Sequence, residues 1–322
     1  MADLEDIAAE MERAETMLRS LTGEPVPAIS VNSIDAIDAP FLGLIVSKLS
    51  PIIGNLLERR IINLLSEAEA GHGMRWIRQD PGFPDALLVN RDGTSTGSGY
   101  EVKAWYALST EITGRFRESQ NLLAGKDIRV ILVAWMMSHV VYGSPVIVDV
   151  LSVSASSAAA ARDLHYHQPP RYLIVEPGDT TARTLNLQQT NVNGYRIQDA
   201  DAATLAAATT VMRAMPGYDG PPHSPGAQAA ARELQNRFSY RLDTNFAKID
   251  RIDHHGIEGF KTAILASRHR GRTLLQWARL LHDLGEEQGR AFEAAAAAIL
   301  AVYEELAEPG LPAPEAPGGR MA

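Results

Sequence analysis

Apolar positions along this chain change period several times, and each change marks an element. Leu4, Ile7, Met11, Ala14 and Leu18 recur at helical spacing, which predicts an amphipathic helix over 3–20. Thr22–Pro27 is a Pro/Gly turn or linker. Asp38 can cap a short helix from Pro40 that breaks at Pro51. A second helical stripe, Ile53, Leu57, Ile61, Leu64 and Leu65, predicts a helix with Ser50 as N-cap and Pro51 in its first turn. Two short apolar runs then follow, in Gly82–Asn90 and Gly99–Tyr106. They flank a Gly/Ser/Thr-rich turn and predict a β-hairpin centred near Thr94–Ser95. Residues 113–123 read as a helix. Strands are predicted near 128–135, 145–152 and 171–176, with an Ala-rich helix around 156–164. Alternating strands and helices predict an α/β protein with a mixed sheet flanked by helices.

Beyond this the pattern is polar from Gly178 to about Gln198 and helical from Ala202 to Met215. The Pro/Gly-dense stretch 216–226 is the best internal boundary. Residues 227–307 are mainly helical and end in an alanine-rich helix, Gln288–Leu306; the tail 308–322 has the composition of a disordered segment. Four regions result: an N-terminal helix and linker (1–37), an α/β core (38–200), a helical region for DNA binding or dimerisation (201–307), and the tail. There is no internal repeat.

The hairpin concentrates the chemistry. Side chains alternate along a strand, so Glu101 and Lys103 share one face while Val102 points to the core. With the turn at Thr94–Ser95, antiparallel pairing sets Asp85 roughly opposite Lys103 or Ala104. Two carboxylates and one ammonium then converge at a sheet edge. Mg²⁺ prefers oxygen ligands and keeps several waters, so Asp85, Glu101 and the Val102 carbonyl suit it, with substrate phosphate completing the shell. Lys103, a compact charge beside the ion, can orient or help deprotonate the attacking water and stabilise transition-state charge. Only five lysines occur, and Lys103 alone has an acid two residues before it.

Pro84-Asp85 followed by Glu101-Val102-Lys103 resembles the PD-(D/E)xK nuclease superfamily, and most closely its type II restriction endonuclease branch. The similarity covers roughly residues 38–177. It implies a restriction-endonuclease-like core of αβββαβ order, a Mg²⁺-dependent hydrolysis of double-stranded DNA leaving 5′-phosphate and 3′-hydroxyl ends, and a glutamate on the first core helix that reaches the metal through water; Glu58 matches that position. Cleavage of palindromic sites implies a homodimer, because two-fold DNA symmetry is met by two-fold protein symmetry. A repair or recombination nuclease on the same core is the alternative, and a non-catalytic DNA-binding protein a further one.

Composition adjusts this picture. The net charge of −9 is unhelpful for a polyanion ligand, but residues 1–50 hold nine acidic and three basic residues, and 301–322 hold four and one. The interior is therefore neutral, and 228–279 holds ten basic against five acidic residues, which permits a local basic cleft. Arg115, Arg117 and Gln120 can reach phosphates from the segment after Lys103. Arg268, Arg270 and Arg272 precede an apolar-periodic helix whose N-terminus would favour anions. Absence of cysteine excludes disulfides and thiolate zinc sites, and with no leader or credible membrane span the cytoplasm is the default. His165/His167 and His254/His255 lack zinc-site spacing and read as hydrogen-bonding loop residues; Asp149 reads as a strand-face or turn acid.

Overall fold

The structure, a computed structural model, describes residues 3–32, 39–67, 73–79, 82–109, 111–165, 172–175, 194–197, 201–214, 225–241, 247–286 and 289–307. Its centre is a five-stranded mixed sheet flanked by helices, an α/β arrangement. The strands are β1 (Arg75–Arg78), β2 (Ala86–Val89), β3 (Ser95–Tyr106), β4 (Asp127–His139) and β5 (Tyr142–Ser154), adjacent in that order. β1, β2 and β3 form an antiparallel meander; β4 runs parallel to β3, and β5 returns antiparallel to β4. The long apolar run of β4 is buried over most of its length, as expected of an interior strand covered on both faces, while β5 closes the sheet edge with its buried residues concentrated at 145–148.

Helix α1 (Leu4–Arg19) starts at Asp3, whose side chain accepts from the Asp6 N–H. Met11, Ala14 and Leu18 enter the core and Ile7 packs against it, whereas Leu4 is 84% exposed and lies off the buried stripe. Buried Glu10 on this helix accepts from the Trp76 indole at 2.7 Å and pairs with Arg13 at 2.5 Å. Both partners satisfy a carboxylate that would otherwise be costly to bury.

Helices α2 (Ala39–Ile45) and α3 (Ser50–Glu67) are joined by a single 3₁₀ turn, Val46–Leu49. Ser50 has helical dihedrals (φ −49°, ψ −42°), so it continues the helix instead of capping it. Pro51 is tolerated there because the tighter turn before it relieves the need for its missing N–H. The expected cap at Asp38 lies outside the described residues. Pro40–Glu67 is 28 residues long and apolar enough by composition to cross a membrane, but Ile53, Leu57, Ile61, Ile62 and Leu65 are buried in the protein core.

Three further elements differ from the sequence expectation. Residues 113–119 are extended, and only α4 (Gln120–Leu123) is helical, capped by the Ser119 hydroxyl. The extended stretch is held by a distant partner: the Phe116 N–H donates to the Ala247 carbonyl, the Ile249 N–H donates to Gly114, and Arg115 bridges Lys248. After α5 (Ala155–His165), β6 (Tyr172–Val175) leaves the main sheet. It pairs with β7 (Gly194–Ile197) and β8 (Tyr240–Arg241) in a small sheet, and β7 falls in the stretch read as polar and turn-rich. A short hairpin, β9 (Arg268–His269) and β10 (Arg272–Thr273), interrupts the C-terminal helices.

Those helices are α6 (Ala202–Arg213), α7 (Pro225–Arg237), α8 (His255–Ala266), α9 (Leu274–Asp283) and α10 (Arg290–Ala307). Most of the proposed boundary at 216–226 lies outside the described residues, as do His167 and the tail. The packing itself joins the regions. Ile249, Ile257, Phe260, Trp277, Ile299 and Val302 belong to the same buried cluster as Tyr100, Val130 and Leu57. Ile257→Ala is therefore expected to destabilise the whole protein by about 2–5 kcal/mol. Urea unfolding followed by tryptophan fluorescence should shift as one transition; a separate early transition with the remainder unmoved would contradict a shared core.

Candidate active site

The hairpin that carries the acids turns earlier than expected. The Asn90 N–H donates to the Thr94 carbonyl, Asp92 accepts from the Thr94 backbone and hydroxyl, and Gly93 takes φ +87°. An Asp-Gly turn supplies both a side chain that caps its own backbone and a residue at ease in left-handed space. The register is Ala86↔Tyr100, so one step further sets Asp85 across from Glu101 instead of Lys103 or Ala104.

Asp85 still reaches the next residue along β3: its Oδ2 accepts from the Val102 N–H at 2.7 Å. Gly99 makes that approach possible. A Cβ built there would stand 2.5 Å from both the Ala86 carbonyl oxygen and the Pro84 ring. Val102 is buried at 7% exposure, while Glu101 and Lys103 share the opposite face, their side chains 13% and 18% exposed. The Lys103 ammonium is ion-paired to Glu101 Oε1; Glu101 Oε2 is buried and accepts no hydrogen bond. The stem of Lys103 passes close to Gly114, where a Cβ would meet it at 3.6 Å, an ordinary van der Waals contact.

Electrostatics follow from burial. Desolvation, then the nearby Glu101 charge, push the Asp85 carboxyl from 3.8 up to about 7, against the pull of Lys103 and the Val102 N–H. Desolvation also raises Glu101 despite its ion pair. For Lys103 desolvation opposes the charge, but Glu101 and Asp85 outweigh it and the ammonium is held protonated. Two acids facing one ammonium in a buried place therefore resist being ionised together.

A cavity of about 280 Å³ opens on this group, lined by Glu101, Lys103, Thr113, Arg115, Arg117 and Glu118. The extended segment 113–118 thus brings Arg115 and Arg117 to the acids. Gln120 turns away, its amide donating to Asp163 at 3.0 Å. Glu58 lies on α3, which packs near Ala104 through Gly54, on the Val102 face of β3. Its carboxylate accepts from Arg78, at 2.9 Å from Nη2, and Arg78 is the register partner of Ala86, next to Asp85. Glu58 is therefore tied to the Asp85 end of β2 through Arg78.

The other arginines serve the fold. The α9 N-terminus is closed by a reciprocal capping box between Thr273 and Gln276. Arg270 is ion-paired to Glu305 and meets His139 Nδ1 at 3.0 Å; Arg272 stacks on Trp277, and Arg268 donates to the Gly271 carbonyl. His139 lies nine residues beyond Val130, the partner of Glu101, so roughly 30 Å of β4 separates this hairpin from the acids. His254 caps α8 and sits 3.0 Å from the Ser157 hydroxyl. Because its Nδ1 accepts from the Gly256 N–H, Nε2 carries the hydrogen and cannot deprotonate Ser157. Asp149 accepts from Thr22.

Among the described residues no three acidic or histidine side chains gather as a metal-binding group. A Mg²⁺ ion needs only one or two carboxylates when water and phosphate supply the rest. The buried Glu101 Oε2, which accepts no hydrogen bond, and two neighbouring carboxyls held back from ionising by burial fit such an ion, whose charge would let both ionise. Sequence reading missed Thr113 and Glu118. The buried pair Ile112 and Phe116 stands four residues apart, a helical spacing, so the local pattern carried no signal for the extended path.

Comparison with protein-family models, curated proteins and solved structures finds no match to this chain.

Gly99→Ala is expected to separate Pro84–Ala86 from β3 and lower the melting temperature by several degrees, since overpacking costs typically about 1–3 kcal/mol. An unchanged melting temperature would show that the strands part without strain. The raised Asp85 carboxyl has a separate signature. Folded protein binds that proton more tightly than the unfolded chain, so stability is withdrawn as pH rises from about 4 to about 7 and is flat above. In EDTA, Asp85→Asn should match wild type at pH 4 and melt higher at pH 8; an equal difference at both pH values would contradict the raised carboxyl.

Proposed function

We propose that this protein is a Mg²⁺-dependent, site-specific endonuclease of the type II restriction enzyme kind, acting on double-stranded DNA. The observation that carries the reading is that Glu101 and Lys103 face one cavity with two arginines, while Asp85 stands directly behind them, bonded to the Val102 N–H between them. The element order supports it too: a helix, an antiparallel β1–β2–β3 meander, a crossover and a parallel β4 follow the αβββαβ order implied by the sequence resemblance.

Asp85 and Glu101 would hold the cation, with the Val102 carbonyl beside them. Bound there, it supplies a Lewis acid for the phosphate oxygens. Arg115 and Arg117 receive the phosphodiester as charge-assisted donors, a role for which the guanidinium fork is well shaped. Lys103 is held by its ion pair to Glu101, so its ammonium is pre-positioned where negative charge grows during attack. Glu58 acts at a distance, holding Arg78 and with it the strand end that presents Asp85. Cutting both strands of a palindromic site requires a second copy related by two-fold symmetry. Arg268, Arg270 and Arg272 lie on the β9–β10 hairpin, roughly 30 Å along β4 from this centre, where Arg270 pairs with Glu305 and Arg272 stacks on Trp277.

Incubation with plasmid DNA and Mg²⁺ should give discrete fragments ending in 5′-phosphates. Lys103→Ala should reduce cleavage at least about 100-fold, the scale of losing one preorganised charge-stabilising donor. With Ca²⁺ in place of Mg²⁺, the same variant should still shift a fragment carrying the cleaved site. Cleavage by Lys103→Ala at the wild-type rate would remove the proposed site.

A further inference from the structure

Two carboxylates, Glu101 and Glu118, line the cavity with Asp85 behind Glu101, and Glu118 has a different standing from the other two. Asp85 accepts the Val102 N–H, and Glu101 Oε1 holds the Lys103 ammonium. Glu118 lines the same cavity and acts electrostatically on both Glu101 and Lys103. Among the described residues its carboxylate forms no hydrogen bond or ion pair.

Its position is fixed from both sides. Phe116 is buried, its N–H donating to the Ala247 carbonyl. The Phe116 carbonyl accepts from Arg162 Nη1 at 2.9 Å, and Arg162 is fully buried. On the other side Ser119, also fully buried, caps α4 by accepting from the Leu122 N–H at 3.2 Å. Glu118 is thus held between two anchored residues. An anionic side chain beside two arginines works against binding a phosphate, so its presence calls for another partner in the reaction. Hydrolysis supplies one: the attacking water must shed a proton, and the Lys103 ammonium can only donate.

We propose that Glu118 is the catalytic base of this centre, an assignment that rests on the phosphodiesterase reading above. The water oxygen bonds to phosphorus as one of its protons passes to a Glu118 oxygen. The bond from phosphorus to the 3′ oxygen breaks, and the released 3′ oxygen takes a proton from solvent to become a hydroxyl. Glu118 then returns its proton to solvent, and the enzyme is restored.

The test uses the full chain, plasmid DNA and Mg²⁺, with single-turnover cleavage measured for wild type, Glu118→Ala, Glu118→Gln and Lys103→Ala. Both Glu118 variants should cut about 10²–10⁴-fold more slowly, the usual contribution of a general base. Added formate, which fits the space vacated in Glu118→Ala, should restore part of the rate in that variant and leave Lys103→Ala unmoved. Binding of a fragment carrying the cleaved site in Ca²⁺ should be unchanged or tighter in Glu118→Ala, because a negative charge has left a phosphate site. Wild-type cleavage by Glu118→Ala, alongside an inactive Lys103→Ala, would overturn the assignment and leave the nuclease reading standing. Loss of Ca²⁺-supported binding together with cleavage would also overturn it, by making Glu118 a structural residue. Wild-type protein that cuts no plasmid or phage DNA would remove the underlying reading itself.

Discussion

A single hydrogen bond, from the Val102 N–H to Asp85, organises this molecule's chemistry. It turns the end of one strand across its neighbour, and only the missing side chain of Gly99 leaves room for the crossing. Once Asp85 is drawn in, the alternation of β3 does the rest: Val102 goes to the core, and Glu101 and Lys103 stay on the cavity face. Burying two acids side by side is unfavourable in itself and raises both carboxyls. Such arrangements persist where a ligand or cation completes them.

The cavity wall depends on a different constraint. Residues 112–116 have no secondary structure of their own; they borrow an antiparallel partner from residues 247–250. Asp250 ties the two together, accepting from the Ile112 N–H at 3.3 Å and from Lys261 on α8 at 2.6 Å. Lys248 pairs with Glu111 at the same junction. The C-terminal helices are therefore part of the scaffold that presents Arg115 and Arg117.

Much of this was legible in the sequence. Long apolar runs marked β4 and β5, and the acid-x-Lys spacing marked one face of β3, because both signals are local. The turn slipped by two residues because Asp92-Gly93 outcompetes Thr94-Ser95 as a turn former. The segment after Lys103 was misread as a helix because what makes it extended lies more than a hundred residues away. Arg270 looked available for DNA because its partners, Glu305 and His139, are 35 and 131 residues distant. Glu118 carried no motif at all; only the path of 113–118 places it beside Glu101.

The separation of 138 residues between Ile112 and Asp250 has a consequence for synthesis. During translation Asp85, Glu101 and Lys103 leave the ribosome well before the strand that fixes the wall of their cavity. Pairings of such high sequence separation close late, since the chain between them must first be ordered. A nascent or prematurely terminated chain holds the acids without the pinned arginines. Emergence of residues 247–250 thereby becomes the event that fixes the cavity wall.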